Sequence, residues 1–496
     1  MTVAAHAAEA QVVGPRALAM GGVGVACSED YVAQYYNPAA FGFFGQKNPD
    51  GSRSPSDNAD LERKDWGVGL DALASYTITP SLGTYLNTVL QADVSKLNTL
   101  GQAGANDAQI LADAVKVLAA VSEFNPQQDY LVAEANAGMG IRIGHFGLGT
   151  RFSASASGTI TDLDTSHLGI SLTGFASVAE ALSNIQTNLA PGYMPQTLTA
   201  AQVQQLTTTL GTDKNGNPVA PAEVTAAINN IDSALTTAGL SGAAVQGVVD
   251  QFGNVVSGSA ANRLLTDNTT KLQLMGIALA EVPVTYGVAF DEHWSIGGSV
   301  KYMVGRVYGS QISLLNVKNE DVAQALRDAR QDYAQSSNIG VDLGIEAHFP
   351  LVQLGLTGRN LNGPNFAGPT VQGVKFHDIN VDPSVTAGVA FIPFTTVTLA
   401  ADVDLTQDTT VDNFQKYQHA GLGFEWNALH VLALRAGLSK NIAESQSNYL
   451  YSAGLGLNLY LLRIDLAAQM STETVDYDGS KYPENGAVSL AIATDW

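Results

Sequence analysis

No stretch of about eighteen consecutive apolar residues occurs anywhere in this chain of 496 residues, which excludes helical membrane spans of ordinary length. Cysteine is nearly missing. Cys27 stands alone, so neither an intramolecular disulfide nor a cysteine-based metal site can form. Charge is thin, at 14% of residues against roughly a quarter in soluble domains. Positive charge is thinner still: 24 Lys and Arg face 46 Asp and Glu, a net charge of −22. That excess works against nucleic-acid binding, and against holding an anionic lipid surface by charge, because both need clustered cations. Catalytic signatures are missing too. There is no Gly-x-Ser-x-Gly elbow, no Walker loop and no His-Glu-x-x-His, so no enzyme is expected. The 8 histidines are scattered. Asp402, Asp404, Asp408 and Asp412 lack the order of a calcium loop. Neither a metal nor a cofactor is expected.

What is present is alternation. Mean hydropathy is +0.06, and the apolar residues recur at every second position. At the C-terminus Val488, Leu490 and Ile492 alternate with Ser489, Ala491 and Ala493, and the chain ends on Trp496. An alternating strand with a terminal aromatic suits the closing strand of a transmembrane β-barrel. The same period predicts strands over Trp66–Leu73, Glu134–Ile143, Phe146–Ser155, Leu279–Phe290, His293–Val307, Ser336–Phe349 and Val352–Leu361. It continues over Pro383–Ile392, Thr395–Leu405, Lys416–Trp426, Leu429–Lys440, Asn448–Leu459, Leu461–Met470 and Gly486–Trp496. Connections alternate short and long. Turns fall at Gly144-His145, Asp291-Glu292, Pro350-Leu351, Pro393-Phe394, Asn427-Ala428 and Tyr460, and long loops lie between. The expected fold is an all-β membrane protein, an antiparallel outer-membrane barrel of about fourteen strands with its long loops extracellular. Trp496 is expected at the periplasmic rim, on a strand paired to the one that begins near Trp66.

The apolar faces carry almost no charge. The opposite faces collect Arg142, Arg151, Lys301, Asp342, Glu346, Asp402, Asp404, Glu425, Arg435, Arg463 and Asp465. Facing lipid at mid-membrane, each Arg or Lys would cost about 2–4 kcal/mol, so these residues are assigned to a polar lumen. Two roles stand for them: a substrate path, or an ion-pair network that packs the lumen and holds a plug. One strand changes phase. Val282, Val284, Tyr286 and Val288 share a face, but Ile277 and Leu279 fall on the other, with Glu281 and Pro283 at the change. A proline in a strand predicts a bulge or local gap, either an ordinary irregularity or a side opening in the wall. Helical insertions are expected in the first two long loops, 79–133 and 156–278. Ile110, Val117 and Phe124 fall a heptad apart, Thr199 and Gln202 fit a capping box, and Pro221 fits a first helical turn. Lys214 is the only Lys or Arg between Arg151 and Arg263, so a cap over the barrel mouth suits these helices better than a membrane surface does.

Ahead of the first strand lie Met20-Gly21-Gly22, Asp30 and Asn37-Pro38-Ala39. The glycine pair suits close backbone approach or unusual dihedrals. These residues resemble the N-terminal motif of the FadL-like outer-membrane long-chain fatty-acid transporter superfamily. The stretches Leu279–Gly287, Lys301-Tyr302-Met303 and Arg359–Pro364 are similar to its branch of plasmid-conjugation TraF-like outer-membrane proteins. The resemblance implies a fourteen-stranded barrel with an N-terminal hatch over 11–64 and the barrel over 65–496. Residues 1–10, with Ala8-Glu9-Ala10, are expected to be the remnant of a secretory signal. The implied function is a hatch-gated channel for hydrophobic or amphipathic small molecules, with a lateral exit near Pro283. The alternative is a non-enzymatic outer-membrane anchor or shuttle of a conjugation or secretion system. Expected partners are outer-membrane lipid and lipopolysaccharide, a hydrophobic small-molecule ligand, and a conjugation or secretion partner, with no nucleic acid.

Overall fold

The computed structural model describes residues 12–28, 30–44, 66–92, 96, 100, 107–125, 129–187, 189–315, 332–371, 373–409, 411, 416–428, 431–445, 447–459, 462–477 and 480–495. Fourteen antiparallel strands close into one barrel. They are β1 (Trp66–Ile78), β2 (Leu131–Ile143), β3 (Phe146–Ile160), β4 (Lys271–Ala289), β5 (Trp294–Ser313), β6 (Tyr333–His348) and β7 (Val352–Arg359). The circuit continues with β8 (Ser384–Phe394), β9 (Val397–Asp404), β10 (His419–Ala428), β11 (Leu432–Asn441), β12 (Leu450–Asn458), β13 (Arg463–Ser471) and β14 (Asn485–Asp495). Every predicted strand is found. The closing pair is β14 on β1, from Gly67 opposite Asp495 to Thr77 opposite Asn485. Trp496 lies outside the described residues, as do Asp412, Tyr460 and residues 1–11 and 45–65 of the N-terminal region.

Alternation decides which face meets what. Along β4, Val282, Val284, Tyr286 and Val288 are exposed on the exterior, while Glu281, Pro283, Thr285 and Gly287 are buried within. The exterior forms an apolar belt. Trp66, Phe146, Trp294, Phe394 and Trp426 are exposed near the short-turn end, and Tyr76, Tyr333 and Tyr451 near the long-loop end. Aromatic girdles around an apolar band are the exterior of a membrane-spanning barrel. No described helix is long and apolar enough to cross a membrane.

Pro283 does not produce a bulge. The β3–β4 register is the same on both sides of it, Leu148 opposite Val284 and Arg151 opposite Glu281. What is missing is pairing: Gly149 and Thr150 make no ladder pair with Pro283 and Val282, whereas β4 pairs without a break to β5. The change of phase has another cause. Met275, Ile277 and Leu279 point inward because the chain between β7 and β8 folds into the lumen. They join Phe366, Phe376, Ile379 and Val381 from that segment, with Met303 and Val307 of β5, in one buried apolar cluster. The register shift lies elsewhere, between Phe391 and Phe394 of β8. There Pro393 stays in the strand, and the turn falls at Thr395-Thr396 instead of Pro393-Phe394.

The first two long loops are helical. The first carries α3 (Pro80–Gln91) and α4 (Asp107–Glu123); the second carries α5 (Val178–Ser183), α6 (Ala200–Leu210), α7 (Pro221–Thr237) and α8 (Ala243–Ala260). Thr199 and Gln202 form the reciprocal capping box of α6, and Pro221 opens α7. Leu111, Val115, Leu206, Ile228, Ile231, Leu235 and Phe252 share one core with Ile160, Leu272 and Ile312 at the ends of β3, β4 and β5. β3, β4 and β5 thus carry the cap.

Candidate functional site

Residues 12–44, apart from residue 29, occupy the lumen as an irregular segment with two short helices, α1 (Pro15–Ala19) and α2 (Ala33–Tyr36). Of the FadL-like motif, Met20 and Ala39 are fully buried there. Gly21 and Gly22 have φ of 72° and 85°, a region that suits glycine. The Asn37 side chain accepts from the Ala39 amide and donates to the Val25 and Ile345 carbonyls, and Pro38 opens the following turn. The wall is carved to receive the segment. A Cβ at Gly287 would lie 2.6 Å from the Gly42 nitrogen, and one at Gly423 would lie 2.6 Å from the Met20 Cβ.

A chain of alternating charges fixes the segment on one side: Asp30, Arg463, Asp465, Arg435, Glu425, Arg16. Arg463 pairs with Asp30 and reaches Asp465 at 3.0 Å. Arg435 contacts Asp465 and Glu425, each at 2.5 Å. Arg16 closes the chain on Glu425 at 2.9 and 3.0 Å, and donates to the Cys27 carbonyl at 2.6 Å. Both ends belong to the luminal segment and the four middle groups to β10, β11 and β13. Three cations offset three anions in a site where an unpaired charge would cost several kcal/mol.

Across the lumen, Arg151 donates to Asp71 at 2.8 and 2.9 Å and to Asn136 at 2.7 Å. Tyr31 donates to the same Asp71 at 2.8 Å. The Arg151 and Arg142 guanidinium groups lie over the Tyr35 and Phe44 rings at 4.4 and 4.5 Å. Asp402 accepts from the Gly24 and Val25 amides, and the His419 ring nitrogen donates to the Gly21 carbonyl. Asp404 serves the wall, accepting from Thr386 and the His419 amide. Lys301 pairs with Asp342 at 3.1 Å, and Glu346 meets His348 at 2.8 Å. Glu281 and Pro283 face inward, buried. The wall residues singled out from the sequence therefore fall into several networks. Arg16, Tyr31, Asp71 and His419 complete them and were not singled out. Arg16 precedes the glycine motif and Asp71 shares the inward face of β1, so position was a usable signal for both.

Toward the long-loop end the lumen holds a cavity of about 180 Å³. Val12, Leu18 and Leu73 give it apolar surface, and Ser75, Glu134 and Ser155 give it polar surface. The hairpin of Asp408–Thr409 with Lys416–Tyr417 reaches it from the loop side. A smaller cavity, about 40 Å³, touches Asp402, Asp404 and His419. Among the described residues no His, Cys, Asp or Glu cluster has the arrangement of a metal site.

Residues 34–404 match the family described as the F plasmid transfer operon TraF protein. The chain belongs to this family. The matched span includes the stretches on which the TraF-like resemblance rests. No curated protein matches the sequence. Among solved structures, the Ralstonia pickettii toluene transporter TbuX is 12% identical, with a TM-score of 0.43, over 98% of this chain and 99% of that one. The Pseudomonas putida toluene transporter TodX is 11% identical, with a TM-score of 0.42, over 98% of both chains. A Pseudomonas aeruginosa FadL homologue is 9% identical, with a TM-score of 0.42, over 100% of this chain and 99% of that one.

Proposed function

We propose that this chain is an outer-membrane channel for small hydrophobic or amphipathic molecules, with its long loops facing outward and residues 12–44 as its gate. The observation that carries this reading is the division of the lumen: the N-terminal segment fills the barrel up to a cavity of mixed lining on the long-loop side. Onward passage requires either movement of the segment or a way through the wall. The two-residue gap in the β3–β4 ladder suits a wall exit. Gln34 and Tyr35 stand behind it, since a Cβ at Gly149 would lie within 2.9 Å of both side chains. In a lipid setting, Arg306 lies on the exterior over the Tyr333 ring at 5.0 Å, a placement that suits lipopolysaccharide phosphate.

Proteoliposome uptake tests this. Wild type is expected to pass octanoate slowly, and the double substitution Arg16→Ala, Arg463→Ala to pass it faster by loosening the gate. Absence of uptake in wild type, in the double variant and in a 12–44 deletion that still assembles would remove the reading. The second reading is an anchor or shuttle of a conjugation or secretion apparatus. It draws on the family match and on the helical cap, which offers a broad surface with its own core. Cross-linking in donor-cell membranes followed by purification is expected to recover an envelope partner if this holds. Recovery of only barrel-assembly factors counts against it.

A further inference from the structure

Glu134 differs from the acidic groups that the luminal networks pair. Asp30, Asp71, Asp342, Glu425 and Asp465 each meet a guanidinium or ammonium group. Asp402 and Asp404 accept backbone N–H groups. The Glu134 carboxylate has one long contact among the described residues, the Ser75 hydroxyl at 3.4 Å, and it lines the larger cavity. The barrel register sets three groups in a row across three strands, with Ser75 opposite Glu134 and Glu134 opposite Ser155. Ser155 is 6% exposed, and its hydroxyl has no partner among the described residues. A buried, unmatched hydroxyl beside an unmatched carboxylate is an incomplete hydrogen-bonding site.

The surroundings narrow the missing partner. Tyr130 and Tyr417 line the same cavity with aromatic side chains. Burial, with the charges of Asp404 and Glu134, raises the Tyr417 phenol, which keeps it neutral. Val12, Leu18 and Leu73 supply a short apolar surface. Lys416 and Lys440 also border the cavity. Lys416 is exposed on the loop hairpin, and Lys440 stands five strands round the wall from Glu134, with its ammonium 4.9 Å from the Tyr449 ring. Carboxylate, hydroxyls and aromatic faces together bind ammonium groups. A cavity of about 180 Å³ is several times what one water needs and suits a short chain.

We propose that this cavity binds a protonated, amphipathic amine, with its ammonium on Glu134, Ser75 and Ser155 and its apolar body against Val12, Leu18 and Leu73. As a statement about transported cargo, this rests on the channel reading above.

Titration calorimetry of the full chain in nonionic detergent at pH 7, with octylammonium, octanoate and octanol as probes, tests the site. Octylammonium is expected to bind saturably, at least about tenfold tighter than octanol, as one charge-assisted contact requires. Glu134→Gln should abolish that margin, and Ser155→Ala should weaken octylammonium several-fold, while octanoate binding does not fall in either variant. Equal affinity of wild type and Glu134→Gln for octylammonium, or tighter binding of octanoate than of octylammonium to wild type, overturns the assignment. If Glu134→Gln does not assemble, the octylammonium-to-octanol ratio in wild type decides. Octanoate uptake without octylammonium binding removes the amine site and keeps the channel. Octylammonium binding without uptake of either probe keeps the site and removes the channel.

Discussion

Glu425 accepts three guanidinium N–H groups, two from Arg16 on the luminal segment and one from Arg435 on the wall. Glu425→Gln leaves both cations short of a counter-charge in a buried site, an effect of about 3–5 kcal/mol. The expected outcome is release of the segment at lower urea concentration than in wild type, read by proteolysis near Arg16, with the barrel still resistant to heat in SDS. Unchanged release would show that the charge chain does not hold the segment. In the loop after β3, Asp164 gives a pH effect. Burial pushes its carboxyl up, but hydrogen bonds from Ser166 and Thr269 outweigh this and hold it well below the usual carboxylate range. A depressed folded value means stabilisation that is present above the unfolded value, about pH 4, and lost as pH falls below it. Protection of the Ser166 and Thr269 amides, taken relative to their intrinsic exchange rates, should therefore fall below about pH 4 in wild type. Asp164→Asn should exchange faster at neutral pH and show no acid step. Individual residues also mark where the sequence misled. Ile277 and Leu279 sit on an inward face, and a lumen filled with polar groups gives an apolar side chain no reason to be there. The reason is Phe366 and Phe376, brought in by a long-range fold of the β7–β8 connection that no local period encodes.

Elements with a strong period were legible, and those without one were not. All fourteen barrel strands follow from period-2 alternation because lipid and lumen impose opposite chemistry on successive residues. Strand ends were less legible. β4 and β5 run on to Lys271 and Ser313, where they leave the apolar belt and enter the cap. α4, α6 and α7 follow from heptad, capping-box and first-turn proline signals, but α3 and α8 were not anticipated. α8 holds several glycines and valines, poor helix formers by propensity. Burial of Val245, Val248, Val249, Phe252 and Val255 against the cap core overrides that. The cap can be tested as a unit. Ile231 of α7 is fully buried in it, so Ile231→Ala should cost about 2–5 kcal/mol. Helical circular dichroism should melt earlier, while heat resistance of the barrel in SDS stays unchanged. Loss of barrel assembly in this variant would show that cap and barrel fold as one.

For the whole molecule, the unequal ends of the barrel make a prediction about direction. Short turns close one end, and the helical cap with its hairpins covers the other. A barrel threaded into the outer membrane keeps its short turns in the periplasm, so the cap and the cavity below it would meet the outside first, and the gate would control the inner side. The chain suits a direct measurement because its single cysteine, Cys27, is 6% exposed within the lumen and should resist a bulky thiol reagent. Asn215, exposed in the cap, and Glu292, exposed in a short turn, mark the two ends. In intact cells a membrane-impermeant maleimide should label Asn215→Cys and leave Glu292→Cys unlabelled until the outer membrane is opened. The reverse pattern would turn the barrel over. It would place the cavity and Glu134 on the periplasmic side, and the proposed channel would then receive its cargo from within.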